Sequence, residues 1–382
     1  MRLVIHDVPV KKSVFTLFFV ILFFIINFNF DTPDHKCFKY SSPQKLENPG
    51  KVVLVTGAVG FIGMHLSIKL KELGFVVIGY DNINSYYSTD LKQRRLDQLK
   101  EKNIVFVKGD ICDESLLKST IKSHNVDRII HLAAQAGVRY SLTNPHEYIS
   151  NNIDCFVSIL EVFHHMELKK NGPLIYASSS SVYGLSKEIP FSESNEVNNF
   201  ASLYAATKRA NENIASTYHH LYKIPSVGLR FFTVYGPWGR PDMAAYIFTN
   251  QIEKDLPIQL NNYGNCERDF TYIDDIVNGI VASFRFSTDG TEIFNLGGNR
   301  PVELNYFVEL IEKGLGKTAK KVLVGMQKGD VPITYANIDK AGCMLAWKPK
   351  ISIEKGMEKF IEWFRLENGT RYINATKSEL LQ

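Results

Sequence analysis

Two hydrophobic periods alternate along most of the chain. Short apolar runs occupy 51–56, 75–80, 104–107, 128–132, 174–177 and 226–231, and amphipathic stretches lie between them at 60–73, 114–124, 146–168 and 204–222. A strand covered on both faces reads as a continuous apolar run, whereas a helix lying on a sheet shows one apolar stripe. Strand and helix in alternation, with short connections, predict a doubly wound parallel α/β sheet. Beyond residue 235 the elements shorten and the pattern loosens, which predicts a smaller, mainly substrate-binding region over 236–367.

The N-terminus departs from this rhythm. Lys11 and Lys12 precede an almost unbroken apolar stretch from Val14 to Phe30, interrupted only by Asn27 and Asn29. A span of about 17 residues is at the lower limit for crossing a bilayer, and it is long and bulky for the core of a cleaved signal. No small-residue cleavage site follows. The pattern predicts a retained transmembrane signal anchor at 13–30, with residues 1–12 in the cytosol by the positive-inside rule. Residues 31–50, polar and carrying Pro33, Pro43 and Pro49, read as an extended stem. The globular part follows, with its first domain at 51–235. A tail at 368–382 carries the sequons Asn368-Gly-Thr370 and Asn374-Ala-Thr376. Together these features predict a single-pass type II membrane protein with its catalytic domain in the Golgi lumen.

Composition narrows the choice further. With 45% hydrophobic residues among 382, the chain can bury a large core. The net charge of +4 is slight, and the one basic cluster, KQRR at 92–95, is short, so no nucleic-acid partner is expected. Five cysteines are scattered without CxxC spacing. That pattern points to buried free thiols and gives no metal site.

Gly57, Gly60 and Gly63 form GxxGxxG between the first strand and the first helix. A turn without side chains lets a pyrophosphate approach the helix N-terminus, whose free N–H groups and dipole stabilise its charge. Phe61 and Ile62 complete that turn. Asp81 ends the second strand, where a carboxylate accepts both ribose hydroxyls and repels a 2′-phosphate, so NAD is favoured over NADP. Asn82 follows it. Asp110 and Ile111 end the third strand, beside the adenine. Leu132, Ala133 and Ala134 end the fourth, where the dinucleotide passes closely. The fold class is therefore a Rossmann-type sheet carrying NAD.

Tyr204 and Lys208 stand four residues apart, on one face of a helix. The ammonium can lower the phenol pKa by proximity, making Tyr204 a general base near neutral pH. Upstream, ASSSSVYG at 177–184 follows a strand and supplies hydroxyls without a carboxylate.

Here the chain resembles the extended short-chain dehydrogenase/reductase family over residues 51–365. GAVGFIG, HLAAQAGVRYS, SSSSVYG, YAATK, RDFTYIDD and NLGG appear in family order. Within that family it looks most similar to the UDP-glucuronate 4-epimerases, through LRFFTVYGPWGRPDM at 229–243. Plant members also carry an N-terminal anchor. Val59 replaces the usual alanine of the glycine turn. The resemblance implies an isomerase that converts UDP-glucuronate to UDP-galacturonate through a 4-keto intermediate, with NAD tightly bound and not consumed.

The same resemblance implies Tyr204 as base, Lys208 as its electrostatic partner, and Ser179 as the hydroxyl on the substrate 4′-oxygen, with Ser181 assisting. Tyr183 is implied to be structural. Thr233 and Arg240 are implied at the glucuronate end, where a planar guanidinium suits a carboxylate. Arg268 is implied at the diphosphate, Asn152 near the nicotinamide or diphosphate, and Arg139 near the sugar. Gln327 departs from neutral-sugar epimerases, which usually have a second diphosphate arginine there. A homodimer is implied through the sheet-flanking helices, 146–168 and 204–222.

The alternatives are a UDP-glucose 4-epimerase or a UDP-glucuronate decarboxylase-type enzyme. The first is disfavoured by the PWGRP loop. Decarboxylases and 4,6-dehydratases carry acidic residues before VYG, where this chain has only serines.

Overall fold

The computed structural model describes residues 50–366. The expected anchor at 13–30, the stem before Gly50 and the sequon-bearing tail lie outside the described residues. Among the described residues, no helix is long and apolar enough to cross a membrane.

The six apolar runs become six strands: β1 (Val52–Thr56), β2 (Val76–Asp81), β3 (Val105–Lys108), β4 (Arg128–His131), β5 (Leu174–Ala177) and β6 (Ser226–Phe231). After β7 (Thr233–Tyr235), β8 (Ile258–Leu260) and β9 (Glu267–Tyr272), the chain returns to this sheet as β10 (Thr291–Leu296). The seven strands run in the order β10-β6-β5-β4-β1-β2-β3, and every neighbouring pair is parallel. The order reverses at β1, which makes its C-terminal end the switch point where such sheets bind ligands.

Alternation along β1 shows how the two layers are built. Val53 and Val55 point into one apolar layer and Leu54 into the other, all fully buried. Each such side chain contributes about 1.5–3 kcal/mol. Helices α1 (Phe61–Glu72) and α2 (Thr89–Glu101) cover the first layer, and α3 (Glu114–His124), α4 (Cys155–His165) and α5 (Leu203–Tyr222) cover the second.

Four features differ from the pattern-based expectation. Helix α2 is too polar to show an apolar stripe, yet Ser88 caps it, accepting from Leu91 N at 3.3 Å. The stretch expected as one helix over 146–168 is broken by a π-helical turn at Ser150–Asp154. There the Asn152 side chain is drawn to neighbouring elements (below), a common cause of such bulges. The boundary at 235 is not a clean one, because β10 belongs to the first sheet. Finally, Cys112 and Cys155 form a disulfide with a Cα–Cα separation of 4.5 Å, and Cys343 is also disulfide-bonded. Only Cys266 among the described cysteines is a buried free thiol. The Cys112–Cys155 pairing joins the loop after β3 to the start of α4, 43 residues away, a proximity that spacing alone cannot reveal.

The remaining elements form the substrate-side region. β9 pairs in parallel with β7 and antiparallel with β11 (Pro301–Glu303), and β8 pairs with β12 (Lys321–Leu323). Helices α6 (Ala244–Glu253), α7 (Ile273–Arg285), α8 (Leu304–Leu315) and α9 (Ile353–Leu366) pack around them, with α7 lying back against α1.

Candidate active site

The glycine turn closes against the end of β4. Gly57 has φ +70, and a Cβ there would lie 2.8 Å from Ala133 N; at Gly63 it would lie 2.0 Å from Gly57 O. No other residue fits either position without moving backbone. Helix α1 opens at Gly60 with no side-chain cap, so its first N–H groups face the turn unshielded. Thr56 Oγ1 accepts from Leu132 N and Ala133 N, both at 3.2 Å, and contacts His131 Nδ1 at 2.8 Å. Burial pushes the His131 imidazole down to about 3, with Lys208 adding to the effect, so the ring is neutral. This cradle fits a dinucleotide pyrophosphate.

On the adenosine side, Asp81 accepts from Val59 N at 3.2 Å and Ile83 N at 2.8 Å, which aims its carboxylate at the glycine turn. Burial raises its pKa, opposed by those bonds and by Lys92 and Arg95. Asp110 accepts from Asn82 Nδ2 and Cys112 N, both at 2.9 Å, tying the ends of β2 and β3 together. Ile111 is buried beside it. The KQRR cluster is not a surface patch. Arg95 is fully buried and donates to Val59 O at 3.2 Å and Trp238 O at 2.6 Å, joining the glycine turn to the PWGRP loop. Lys92 donates to Asn84 O at 2.6 Å, and burial lowers it to about 8.

At the end of β5 the serines divide their work. Ser179 caps a short 3-10 turn, accepting from Ser181 N at 3.1 Å, and its hydroxyl lies near enough to the Tyr204 phenol to lower its pKa. Tyr204 lies in the first turn of α5, which Ser202 caps by accepting from Ala205 N at 3.2 Å. Burial raises the Tyr204 phenol above its ordinary range, while the neighbouring Ser179 hydroxyl and the Arg240 charge pull it down, and the net direction is upward. Lys208 is buried and donates to Ala177 O at 2.9 Å. Burial lowers its pKa to about 8. Arg240 adds its positive charge to the surroundings of the phenol.

Ser178 faces the opposite way. Its hydroxyl donates to Glu212 Oε1 at 2.6 Å, and Arg230 donates to both Glu212 oxygens at 2.8 Å. Arg209 adds a further bond at 2.8 Å. Tyr183 is structural, as expected: its ring stacks on Phe191 at 4.7 Å, and its hydroxyl donates to Asn295 Oδ1 at 2.7 Å. This buried network locks the serine turn onto α5. Glu212 escaped notice because its partner, Arg230, comes from a different strand.

The substrate-side residues converge, but several are already engaged. Asn152 accepts from Gln135 N at 2.8 Å and donates to Gln135 O at 3.0 Å and Thr207 Oγ1 at 3.1 Å. Both of its amide protons are used, so it holds the loop after β4 against α5 and has no donor left for a ligand. Arg240 pairs with Asp242, and Tyr86 donates to the same carboxylate at 3.0 Å. The guanidinium fork expected to meet a substrate carboxylate is therefore held by a neighbour two residues on. Thr233 begins β7, partly buried. Arg268 extends from β9 to Asp330, at 3.0 Å, and Arg139 reaches the same carboxylate at 3.7 Å.

Comparison with known proteins follows the same lines. The family model described as GDP-mannose 4,6 dehydratase matches residues 54–360. The chain is 50% identical over 321 residues to an uncharacterized protein of Methanocaldococcus jannaschii, covering 83% of this chain and 97% of that one. It is 46% identical over 333 residues to UDP-glucuronate 4-epimerase 4 of Arabidopsis thaliana, covering 83% and 76% respectively. Among solved structures, a UDP-glucuronic acid 4-epimerase from Bacillus cereus, in complex with UDP-glucuronic acid and NAD, superposes with a TM-score of 0.77. Its identity is 34%, over 83% of this chain and 99% of that one.

Proposed function

We infer the function from one premise: the chain belongs to the extended short-chain dehydrogenase/reductase family, among its UDP-glucuronate 4-epimerases. It is an NAD-dependent isomerase that interconverts UDP-glucuronate and UDP-galacturonate. The observation that carries this reading is the Ser179 hydroxyl set beside the buried Tyr204 phenol at a serine turn without acidic side chains.

NAD, when bound, supplies the hydride acceptor and donor at the sugar C4′. The residues fit to hold it are Gly57, Gly60, Phe61, Ile62 and Gly63 at the pyrophosphate, Asp81 and Asn82 at the ribose, and Asp110 and Ile111 at the adenine. Leu132, Ala133 and Ala134 line its path. Tyr204 takes the 4′-hydroxyl proton and later returns it, while Ser179 fixes the 4′-oxygen against the phenol. Lys208, held at Ala177 O, sets positive charge beneath the site. Thr233 and Ser181 offer hydroxyls toward the glucuronate end. Glu212 is neutralised by Arg230 and Asp242 by Arg240. Neither is available to drive the 4-keto sugar toward elimination, so the ketone is reduced again on its other face.

The direct test incubates the purified chain with UDP-glucuronate and no added cofactor, with products read by sugar NMR. UDP-galacturonate is expected; a stoichiometric NAD requirement or release of carbon dioxide would overturn the reading.

We also propose that residues 13–30 anchor the chain as a type II protein of the Golgi, with 51–367 in the lumen. Lys11 and Lys12 support that orientation, and the Cys112–Cys155 disulfide suits an oxidising compartment. Protease protection in sealed vesicles, with a glycosidase-sensitive shift at the sequons, tests it. A homodimer through α4 and α5 is proposed as well. Leu221 and Tyr222 leave apolar surface exposed at the end of α5. Light scattering should return twice the chain mass.

A further inference from the structure

Arg95 lies in the middle of α2, fully buried, and spends its guanidinium on backbone carbonyls and one phenol. Nη1 donates to Val59 O at 3.2 Å and to Tyr87 Oη at 2.6 Å. Nη2 donates to Trp238 O at 2.6 Å and to Gly239 O at 3.2 Å. Among the described residues these bonds reach no carboxylate, and Nε has no partner. A buried charge without a paired anion is costly. A helix that needed only an apolar stripe at this position would carry a hydrocarbon side chain instead.

That cost is met at a bend in the chain. Trp238 has φ +61, a left-handed conformation that a bulky residue rarely adopts. Such a residue persists only where its surroundings over-determine it. Here three successive carbonyls are gripped from α1 and α2: His65 Nε2 lies 3.0 Å from Pro237 O, and Arg95 holds Trp238 O and Gly239 O. The next residue is Arg240. Its guanidinium lies 6.0 Å from the centre of the Tyr86 ring, and its charge acts on the Tyr204 phenol. At its other end Arg95 holds Val59 O, while Val59 N donates to Asp81 at 3.2 Å. One residue of the glycine turn is thus fixed on both sides, and the bend before Arg240 is fixed to it.

We propose that Arg95 is a positioning residue: by tying the carbonyls of Trp238 and Gly239 to the glycine turn, it fixes Arg240 beside the Tyr204 phenol. This rests on the reading of Tyr204 as the base of a 4-epimerase. Arg95 acts on the reaction only through Arg240, and its role involves no covalent step.

The test measures kcat against pH for the NAD-loaded parent, Arg95→Lys, Arg95→Met, Arg240→Met and the double variant Arg95→Met/Arg240→Met. Lysine keeps the charge, but its single ammonium cannot span Val59 O and Trp238 O together, so a shift in Arg95→Lys reports geometry. The acid limb should move to higher pH in both Arg95 variants. The double variant should match Arg240→Met alone, because the two changes remove one effect. Where Arg95→Met does not fold, Arg95→Lys decides by the same limb. A merely structural role would lower the melting temperature and leave the limb of the folded enzyme unmoved. An unmoved limb in Arg95→Lys, or shifts that add in the double variant, overturns the proposal. Absence of epimerisation by the parent chain would instead overturn the functional reading itself.

Discussion

Arg240 and Asp242, two residues apart in the PWGRPDM loop, form a half-buried two-point ion pair, with Nε 3.0 Å from Oδ1 and Nη2 on Oδ2. The Arg240 charge nevertheless reaches the Tyr204 phenol and pulls its pKa down. The arginine acts on the phenol proposed as the base while its fork is held by a neighbour.

Arg240→Met removes that pull, so the phenol pKa rises and the acid limb of the kcat profile moves to higher pH. A fall in kcat at neutral pH is expected. Asp242→Asn keeps the cation and should leave the limb where it is or lower it. A pH–rate series on both variants decides this, and an unmoved limb in Arg240→Met would remove Arg240 from the electrostatics. Product NMR of the same variant should also be read for a decarboxylated pentose, the side reaction open to a β-keto acid that is poorly held.

Lys208 has a folded pKa of about 8 against an ordinary 10.5 because it is buried. Between these values the unfolded chain binds more protons, so stability rises with pH across that window. At neutral pH the native state carries the cost of a buried ammonium. Lys208→Met should therefore be more stable than the parent at pH 7, with the difference narrowing from pH 8 to 10 in urea melts. Its epimerase activity should be lost throughout.

Glu212 offers a different pH signature. Burial alone would raise its carboxyl, but the Arg230 bonds and charge outweigh that and hold it below the ordinary carboxylate range. A depressed folded pKa gives stability that is present above the unfolded value of 4.5 and lost as pH falls through the folded one. Glu212→Ala leaves Arg230 buried and unpaired and should cost about 3–5 kcal/mol. The loss relative to parent should shrink in acid, below the ordinary carboxylate range. Chemical denaturation at pH 7 and at pH 3 reads both effects.

The Cys112–Cys155 bridge closes a loop with a sequence separation of 43 residues and borders Asp110, which accepts from Cys112 N. The double variant Cys112→Ser/Cys155→Ser should lose about 2–4 kcal/mol of stability. NAD should also be retained less well on purification, because the loop carrying Asp110 is less constrained. Thermal melts and the ratio of bound cofactor to protein report each part separately; an unchanged melt would mean the bridge adds nothing.

Much of this molecule is local and was readable as such. Six of the seven strands of the first sheet announce themselves as apolar runs, most of them because both their faces are buried. The GxxGxxG turn and the Tyr204–Lys208 spacing are equally local, set by backbone sterics and by helical pitch. Helix α2 shows no apolar stripe in the sequence because the charged Lys92 and Arg95 share its buried face with Leu91, Leu96 and Leu99. The break at Asn152 was missed because its cause lies at Gln135 and Thr207, on other elements.

The chain order of its residues thus determined the doubly wound sheet, the glycine turn and which tyrosine, lysine and serine are proposed for the site. These follow from periodicity and short-range spacing, which the sequence carries directly. Tertiary structure alone decided which charges meet: Arg230 with Glu212, Arg95 with the PWGRP loop, Cys112 with Cys155, and both Arg139 and Arg268 with Asp330. Each of these pairs is separated by many residues, and a charge or thiol gives no periodic signal of its partner. Electrostatic and covalent pairing depends on distance in space, which only the packed layers fix.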